Sequence, residues 1–345
     1  MIRRFRIVLL AGLCALLAVA AGGYSWFWHR VAAEIVAGVP AWTAGMAAQG
    51  IRVTHGPLAV SGFPFQFRLE VPQPVFARDR AYPAATWSGD RLLAIARPWR
   101  LREWALEVPR PSRLDLVAGP DRWQATVARV DGALRVDPRD GELLLDARGI
   151  AGVDADPLSI AALRLRLAGD PGRPRATAVA LAADSVRLPA RARAPLGREI
   201  ARVSAEGAVV ESIPSLPPAA ALESWRQAGG TIDVERFRVV WGQAELDGAV
   251  TVALDRELQP VAAGTAALAG HDAVLDALVE SGSLGRMEAF GARAILGAVA
   301  APTAGGGAPV ISLQFSVQDG RMLAGPIGGS TFRLLSLPRV EWPER

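Results

Sequence analysis

The chain is 345 residues long, 51% hydrophobic and 21% charged, with a formal net charge of +4, which gives enough apolar material for one large or two ordinary domains. All 38 basic residues are arginine, so the high isoelectric point reflects arginine's high pKa rather than a basic block, and no arginine cluster marks a nucleic-acid surface. The single cysteine excludes an intramolecular disulfide and leaves stability to packing and backbone pairing.

The first element in chain order is the apolar run Ile7 to Phe27. It carries no charge, and as a helix it is long enough for the roughly 30 Å hydrocarbon core of a bilayer. Arg3, Arg4 and Arg6 precede it, whereas only His29 and Arg30 follow at once. The positive-inside bias therefore predicts Met1 in the cytoplasm and the remainder exported, with Tyr24, Trp26 and Trp28 at the outer interface. Ala18-Val19-Ala20 matches the small-x-small pattern of a signal peptidase site, but hydrophobicity continues to Phe27 and a helix-compatible segment follows, so a retained anchor is expected. Leu13 before Cys14 is too large for a lipobox, which leaves Cys14 as a small residue facing lipid.

Val31 to Ala48 reads as a stalk helix bent at Pro40 and stopping at Gly50. From Ile51 the apolar period changes to two. Phe63, Phe65, Phe67, Leu69 and Val71 share one parity, which predicts a strand over 63–71 with one buried face, entered from an edge because Pro64 and Pro72 donate nothing to a ladder. On that reading aspartate at Phe65 is destabilising and aspartate at Gln66 is neutral. The alternation recurs at Trp123/Ala125/Val127, Leu163/Leu165/Leu167, Val250/Val252/Leu254 and Ile311/Leu313/Phe315/Val317, the last of these read as the final strand. Asp131-Gly132, Asp140-Gly141, Asp247-Gly248 and Asp319-Gly320 suit tight hairpins. A parity slip at Arg102-Glu103 predicts a β-bulge.

Helical signals are few. Pro217-Pro218 before Ala219–Ala228 and Gly229-Gly230 after it bound one short helix, and a strand pair, Thr231–Trp241 and Ala244–Leu254, follows. Further helices are expected over Ala273–Ser281 and Leu284–Ala300, punctuated by Gly282 and ended by Gly305-Gly306-Gly307. The predicted fold is thus mainly β: a long antiparallel meander forming a curved sheet or open groove, with few short helices and one N-terminal transmembrane helix. Its parts are a cytoplasmic tip and transmembrane helix (1–30), a stalk (31–50), an N-terminal β lobe (51–216) and a C-terminal β lobe (217–345) with a helical insert (271–300).

Catalytic and metal signals are sparse. His29, His55 and His271 lie far apart with no metal-ligand spacing, no G-x-S-x-G elbow is present, and the glycine run lacks the Lys-Ser/Thr of a phosphate loop. Glu245/Asp247 and Asp154/Asp156 are i, i+2 carboxylate pairs, read as solvated and turn residues. Ten tryptophans against two tyrosines are more informative: Trp87, Trp99, Trp104, Trp123 and Trp241 are expected in strands, filling a core or lining an apolar face open to an acyl chain.

Gly62-Phe63-Pro64-Phe65, Gly229-Gly230-Thr231-Ile232-Asp233-Val234 leading to Trp241-Gly242, and Leu254-Asp255 with Leu258-Gln259-Pro260 form a recognisable set. Leu275-Asp276-Ala277-Leu278-Val279 and Val317-Gln318-Asp319-Gly320-Arg321 with Gly325-Pro326-Ile327 complete it. Over about residues 1–340 this set resembles an uncharacterised family of membrane-anchored envelope proteins of Gram-negative bacteria, domain of unknown function 2125. The anchor and the closing strand also look like AsmA-like (assembly-suppressor) proteins, which implies an elongated β-fold whose apolar groove holds or conducts lipid. The resemblance implies no catalytic residue.

The expected function is non-enzymatic, without cofactor or metal: an inner-membrane, single-pass protein with its bulk in the periplasm, binding acyl chains along Phe63, Phe65, Phe67, Leu165, Leu313 and Phe315. The alternative is a module that docks another envelope protein by an exposed strand edge, with a hydrolase as a distant third reading. Partners would be the membrane, lipid and other envelope proteins, and not nucleic acid.

Overall fold

A computed structural model describes residues 2–79, 83–118, 121–137, 141–170, 172–192, 194–214, 216–282, 284–300, 309–327, 330–336, 339–340 and 342. About half of the chain is strand, and the described strands form one open antiparallel sheet.

The N-terminal helix α1 runs unbroken over Ile2–Ala48 with Pro40 inside it; at 1.5 Å per residue it is about 70 Å long. The stalk is therefore the second half of one helix rather than a separate element. Leu10, Leu13, Leu16, Leu17 and Val19 are exposed along its first half. In the second half Trp28, Val31, Ala32 and Ile35, spaced three and four apart, give a packing stripe against Phe67 and Val60.

Strands β1 (Arg52–Thr54), β2 (Ala59–Ser61), β3 (Phe67–Pro72), β4 (Val75–Arg78), β5 (Ala84–Ser88), β6 (Arg91–Arg97), β7 (Arg100–Val108), β8 (Ser112–Ala118) and β9 (Asp121–Arg135) do not form the expected simple meander. Successive hairpins alternate between two branches. One branch pairs β1, β4, β5 and β8, and the other pairs β2, β3, β6 and β7. Both join the same edge of β9. Its Asp121–Val127 half takes β8 and its Val130–Arg135 half takes β7, while its other edge pairs with the next strand from Ala125 to Arg135. The second half of α1 closes this fork: Trp28 stacks on Phe67 of one branch with ring centroids 5.1 Å apart, and Trp42 meets Phe76 of the other at 6.3 Å.

From β10 (Glu142–Gly152) the expected meander appears. It runs through β11 (Ser159–Gly169), β12 (Ala176–Arg187), β13 (Glu199–Val210), β14 (Thr231–Trp241), β15 (Ala244–Leu254), β16 (Pro260–Ala269), β17 (Val310–Gln318), β18 (Arg321–Ile327) and β19 (Ser330–Ser336), each paired with the next. The strand pair β14–β15 has the expected limits, joined by a two-residue turn at Gly242 (φ 59°). Helices α2 (Pro218–Gln227), α3 (His271–Glu280) and α4 (Arg286–Val299) agree with the expected segments within two residues. They attach at strand ends: Trp225 Nε1 donates to Val210 O at 2.9 Å, and Gly270, before α3, lies against Gln243.

Several expectations are corrected. The strand expected over 63–71 begins only at Phe67, because the chain turns at Gly62 (φ 100°) and Gln66 N donates to Gly62 O at 3.0 Å. Phe63 and Phe65 therefore sit on a turn, and the large penalty expected for a charge at Phe65 does not apply to this exposed side chain. Trp99 lies in the β6–β7 turn rather than in a strand, and two strands follow Ile311–Val317. Asp131-Gly132 and Asp247-Gly248 are in mid-strand. Their glycines make room for neighbours: a Cβ at Gly132 would meet Leu144 O at 2.6 Å, and one at Gly248 would lie 2.6 Å from the Phe237 ring. Asp319-Gly320 does form the hairpin turn, with both φ positive; Asp140 lies outside the described residues. The expected bulge is present as a register break, since Ala96 faces Trp104 but Arg97 faces Arg100.

Candidate functional site

Directly paired residues in a sheet project to the same face, so the registers show what each face carries. Gly132, Leu145, Leu165, Leu181, Ala205 and Phe237 oppose one another in succession from β9 to β14. The row continues through Gly248 and Ala266 to Leu313. Its other end extends from Gly132 through Leu106, Ala94 and Leu69 to Val60, beneath α1.

A second row lies two residues along each strand, or three on β14, where a register shift separates Val234 from Phe237. It links Phe67, Ala96, Trp104, Leu134 and Leu143, then Leu167, Val179, Gly207 and Val234, and ends through Val250 and Gly264 at Phe315. Every member of both rows is apolar. Phe67 and Phe315 thus stand near the two ends of one row, and Leu165 and Leu313 belong to the other. The structure brings these four onto one face and leaves out Phe63 (49% exposed) and Phe65 (73% exposed).

Burial along this face is uneven. Under α1 and in the fork it includes fully buried residues, Phe67 at 0% exposed, Ala96 at 1% and Val108 at 3%, beside half-buried ones such as Leu69, Trp104 and Leu106. Between β10 and β16 the same rows are mostly half-buried, and Leu181 and Ile232 are 40% and 38% exposed. The helices that would cover them sit at strand ends. Glycines are built into the face: a Cβ at Gly264 would lie 2.9 Å from the Phe315 ring, as one at Gly248 would crowd Phe237, so the rings rest over bare backbone and the surface is smoothed.

The opposite face carries the charges, in ladders. Glu142 accepts from Arg166 at 2.6 Å and Arg135 at 3.1 Å, and Asp184 accepts from Arg202 at 2.8 Å and from Arg164. Arg129 and Arg148 oppose each other, as do Asp131 and Asp146; each arginine therefore binds the aspartate of its own strand, at 2.6 and 3.1 Å. Hydrogen bonds from arginine hold the Asp184 and Glu142 carboxyls below their ordinary pKa values. The carboxylate pairs noted in the sequence are engaged in the same way: Arg238 contacts Glu245 and Asp247, and Arg191 and Arg198 contact Asp154 and Asp156.

A dislocation crosses the apolar face that sequence reasoning missed. Ala128, Gly149, Ala161, Ser185 and Ala201 occupy successive register positions from β9 to β13. Gly149 (φ 62°) and Ser185 (φ 50°) are left-handed there, and a register shift falls at Ala201. Ala147 and Ile150, three residues apart, consequently join one cluster with Leu163 and Ile160. The sequence signal was present as a break in alternation at Gly149.

Among the described residues no group of histidine, cysteine and carboxylate side chains is placed to hold a metal. His29 and His55 are exposed, with Nδ1 near Ser25 O at 2.8 Å and Gly56 O at 2.7 Å. His271 is buried with Nδ1 unpartnered, and its Nε2 is 3.8 Å from Asp272.

These features define a class: an open antiparallel β protein with one continuous apolar face, carrying an N-terminal helix long and apolar enough to cross a membrane. The chain belongs to the family described as "Uncharacterized protein conserved in bacteria (DUF2125)", whose model matches residues 26–330. No curated protein and no solved structure matches the chain.

Proposed function

We propose that this is a non-enzymatic protein, anchored in the inner membrane by the first half of α1 and exported beyond it, that holds lipid acyl chains along the apolar face of its sheet. The observation that carries this reading is the pair of unbroken apolar rows, from Val60 and Phe67 under α1 to Leu313 and Phe315, half-buried along the meander. A contiguous apolar face left partly open to solvent is a mark of a ligand or membrane surface. Each methylene laid on it gains about 0.8 kcal/mol, so binding needs no precise polar group. On the opposite face arginines are engaged with carboxylates in ladders that keep that side wet.

The test uses the full chain, because Trp28 and Ala32 of α1 are part of the core and a fragment starting at residue 31 would remove Trp28. Native mass spectrometry after mild detergent extraction should find bound phospholipid, depleted by Leu165→Asp and Leu313→Asp. Lipid-free protein would overturn the proposal. The docking module is supported by β19, which among the described strands pairs along one edge only; lipid-free protein that binds a strand-forming envelope peptide would favour it.

A further inference from the structure

An aromatic turn, β2–β3, is tied to the end of the apolar run of α1. Tyr24 Oη donates to Pro64 O, and Trp28 Nε1 donates to Gln66 O at 3.2 Å. The Phe63 ring lies 6.2 Å from Tyr24 and 5.6 Å from Trp28. Pairing of Phe67 with Ala96 sets the β6–β7 turn beside this one, and Phe65, Arg97, Trp99 and Arg100 line one depression. Phe65 is 73% and Trp99 64% exposed.

An uncharged helix from Ile7 to Phe27 fills the hydrocarbon core with Tyr24 to Trp28 at its outer boundary. The turn bonded to Tyr24 and Trp28 is then at the same depth. Exposed aromatic side chains are favoured in that zone, and neighbouring arginines meet lipid phosphates there. Two exposed aromatic rings on adjacent turns at that depth, beside arginine, suit a bilayer surface.

We propose that the β2–β3 and β6–β7 turns form a second, interfacial contact with the bilayer that α1 crosses, with Phe65 and Trp99 inserted among the headgroups and Arg97 facing phosphate beside Arg100, which is paired with Glu103 at 3.1 Å. This rests on the reading of α1 as an anchor. The contact fixes the tilt of the sheet and sets the α1 end of the apolar rows against the outer leaflet, where an acyl chain enters.

The test places a nitroxide at Phe65→Cys, Trp99→Cys, Leu17→Cys or Phe290→Cys in a Cys14→Ala background. The full chain is reconstituted in phosphatidylcholine vesicles containing phosphatidylglycerol, and collision rates with oxygen and with a water-soluble nickel chelate are compared. Positions 65, 99 and 17 should favour oxygen. Position 290, equally exposed at 70% but on α4, should favour nickel. Oxygen preference at 17 with nickel preference at 65 and 99 overturns this contact and leaves the anchor standing, and so does a position 290 that behaves like 65. Nickel preference at 17 overturns the anchor and this inference with it.

Discussion

The fork and the meander are written in the same alternating pattern and end differently. In the fork, two branches and the second half of α1 converge, and Phe67, Ala94, Ala96 and Val108 are buried. In the meander the same face continues with no second layer along it among the described residues, and Leu181 and Ile232 on it stay more than a third exposed. The comparison teaches that alternation specifies a face but not its cover. The first region uses part of its apolar face for packing, and the second, on the proposed reading, keeps its face free for lipid.

The largest expected effect breaks the sealed side. Phe67→Ala removes a ring with no exposure from beneath Trp28 and should cost about 3–5 kcal/mol, measured by denaturant unfolding, whereas Phe65→Ala on the neighbouring turn should stay within about 0.5 kcal/mol. Gly248→Ala should come next. Its Cβ would lie 2.2 Å from Thr265 O and 2.6 Å from the Phe237 ring, an overpacking that costs about 1–3 kcal/mol; an unchanged melting temperature would mean the ring does not rest on that glycine.

Leu165→Asp sharpens the comparison from the open side. It should lower bound lipid severalfold while shifting the melting temperature far less than Phe67→Ala does, because its environment is half-solvated already. The smallest effect concerns the charged face. The Asp184 carboxyl, hydrogen-bonded by Arg202 and Arg164, titrates below its ordinary value of 3.8. Its contribution is complete above that value and is lost as the pH falls through the lowered one. Asp184→Asn should flatten the acid limb of a stability–pH curve and leave neutral pH nearly unchanged, within the range of an exposed ion pair.

Much of the meander was legible. The pair Thr231–Trp241 and Ala244–Leu254 and the helix after Pro217-Pro218 were marked by parity, proline and glycine, which act locally. The Asp-Gly pairs misled because glycine serves two purposes: at Gly320 it supplies a positive φ, whereas at Gly132 and Gly248 it gives a neighbouring side chain room, which depends on a strand distant in sequence. Phe63 and Phe65 have strand parity by sequence, but Gly62 and Pro64 break the ladder before Phe67. The fork was illegible because hairpins that alternate between two branches leave no periodic trace. Of the six candidate lipid contacts, Phe67, Leu165, Leu313 and Phe315 share the apolar face, while Phe63 and Phe65 belong to the turn beside α1.

The central claim is that one face of the meander holds lipid and the other does not. Leu181 and Leu144 test it directly, since each is 40% exposed and they stand on opposite faces: Leu181 opposes Leu165, and Leu144 opposes Arg166. A photoreactive benzoylphenylalanine at each position, in the full-length protein irradiated in its native membrane, should yield a phospholipid adduct at 181 and none at 144. Equal adducts at both positions, or none at 181, would contradict the account.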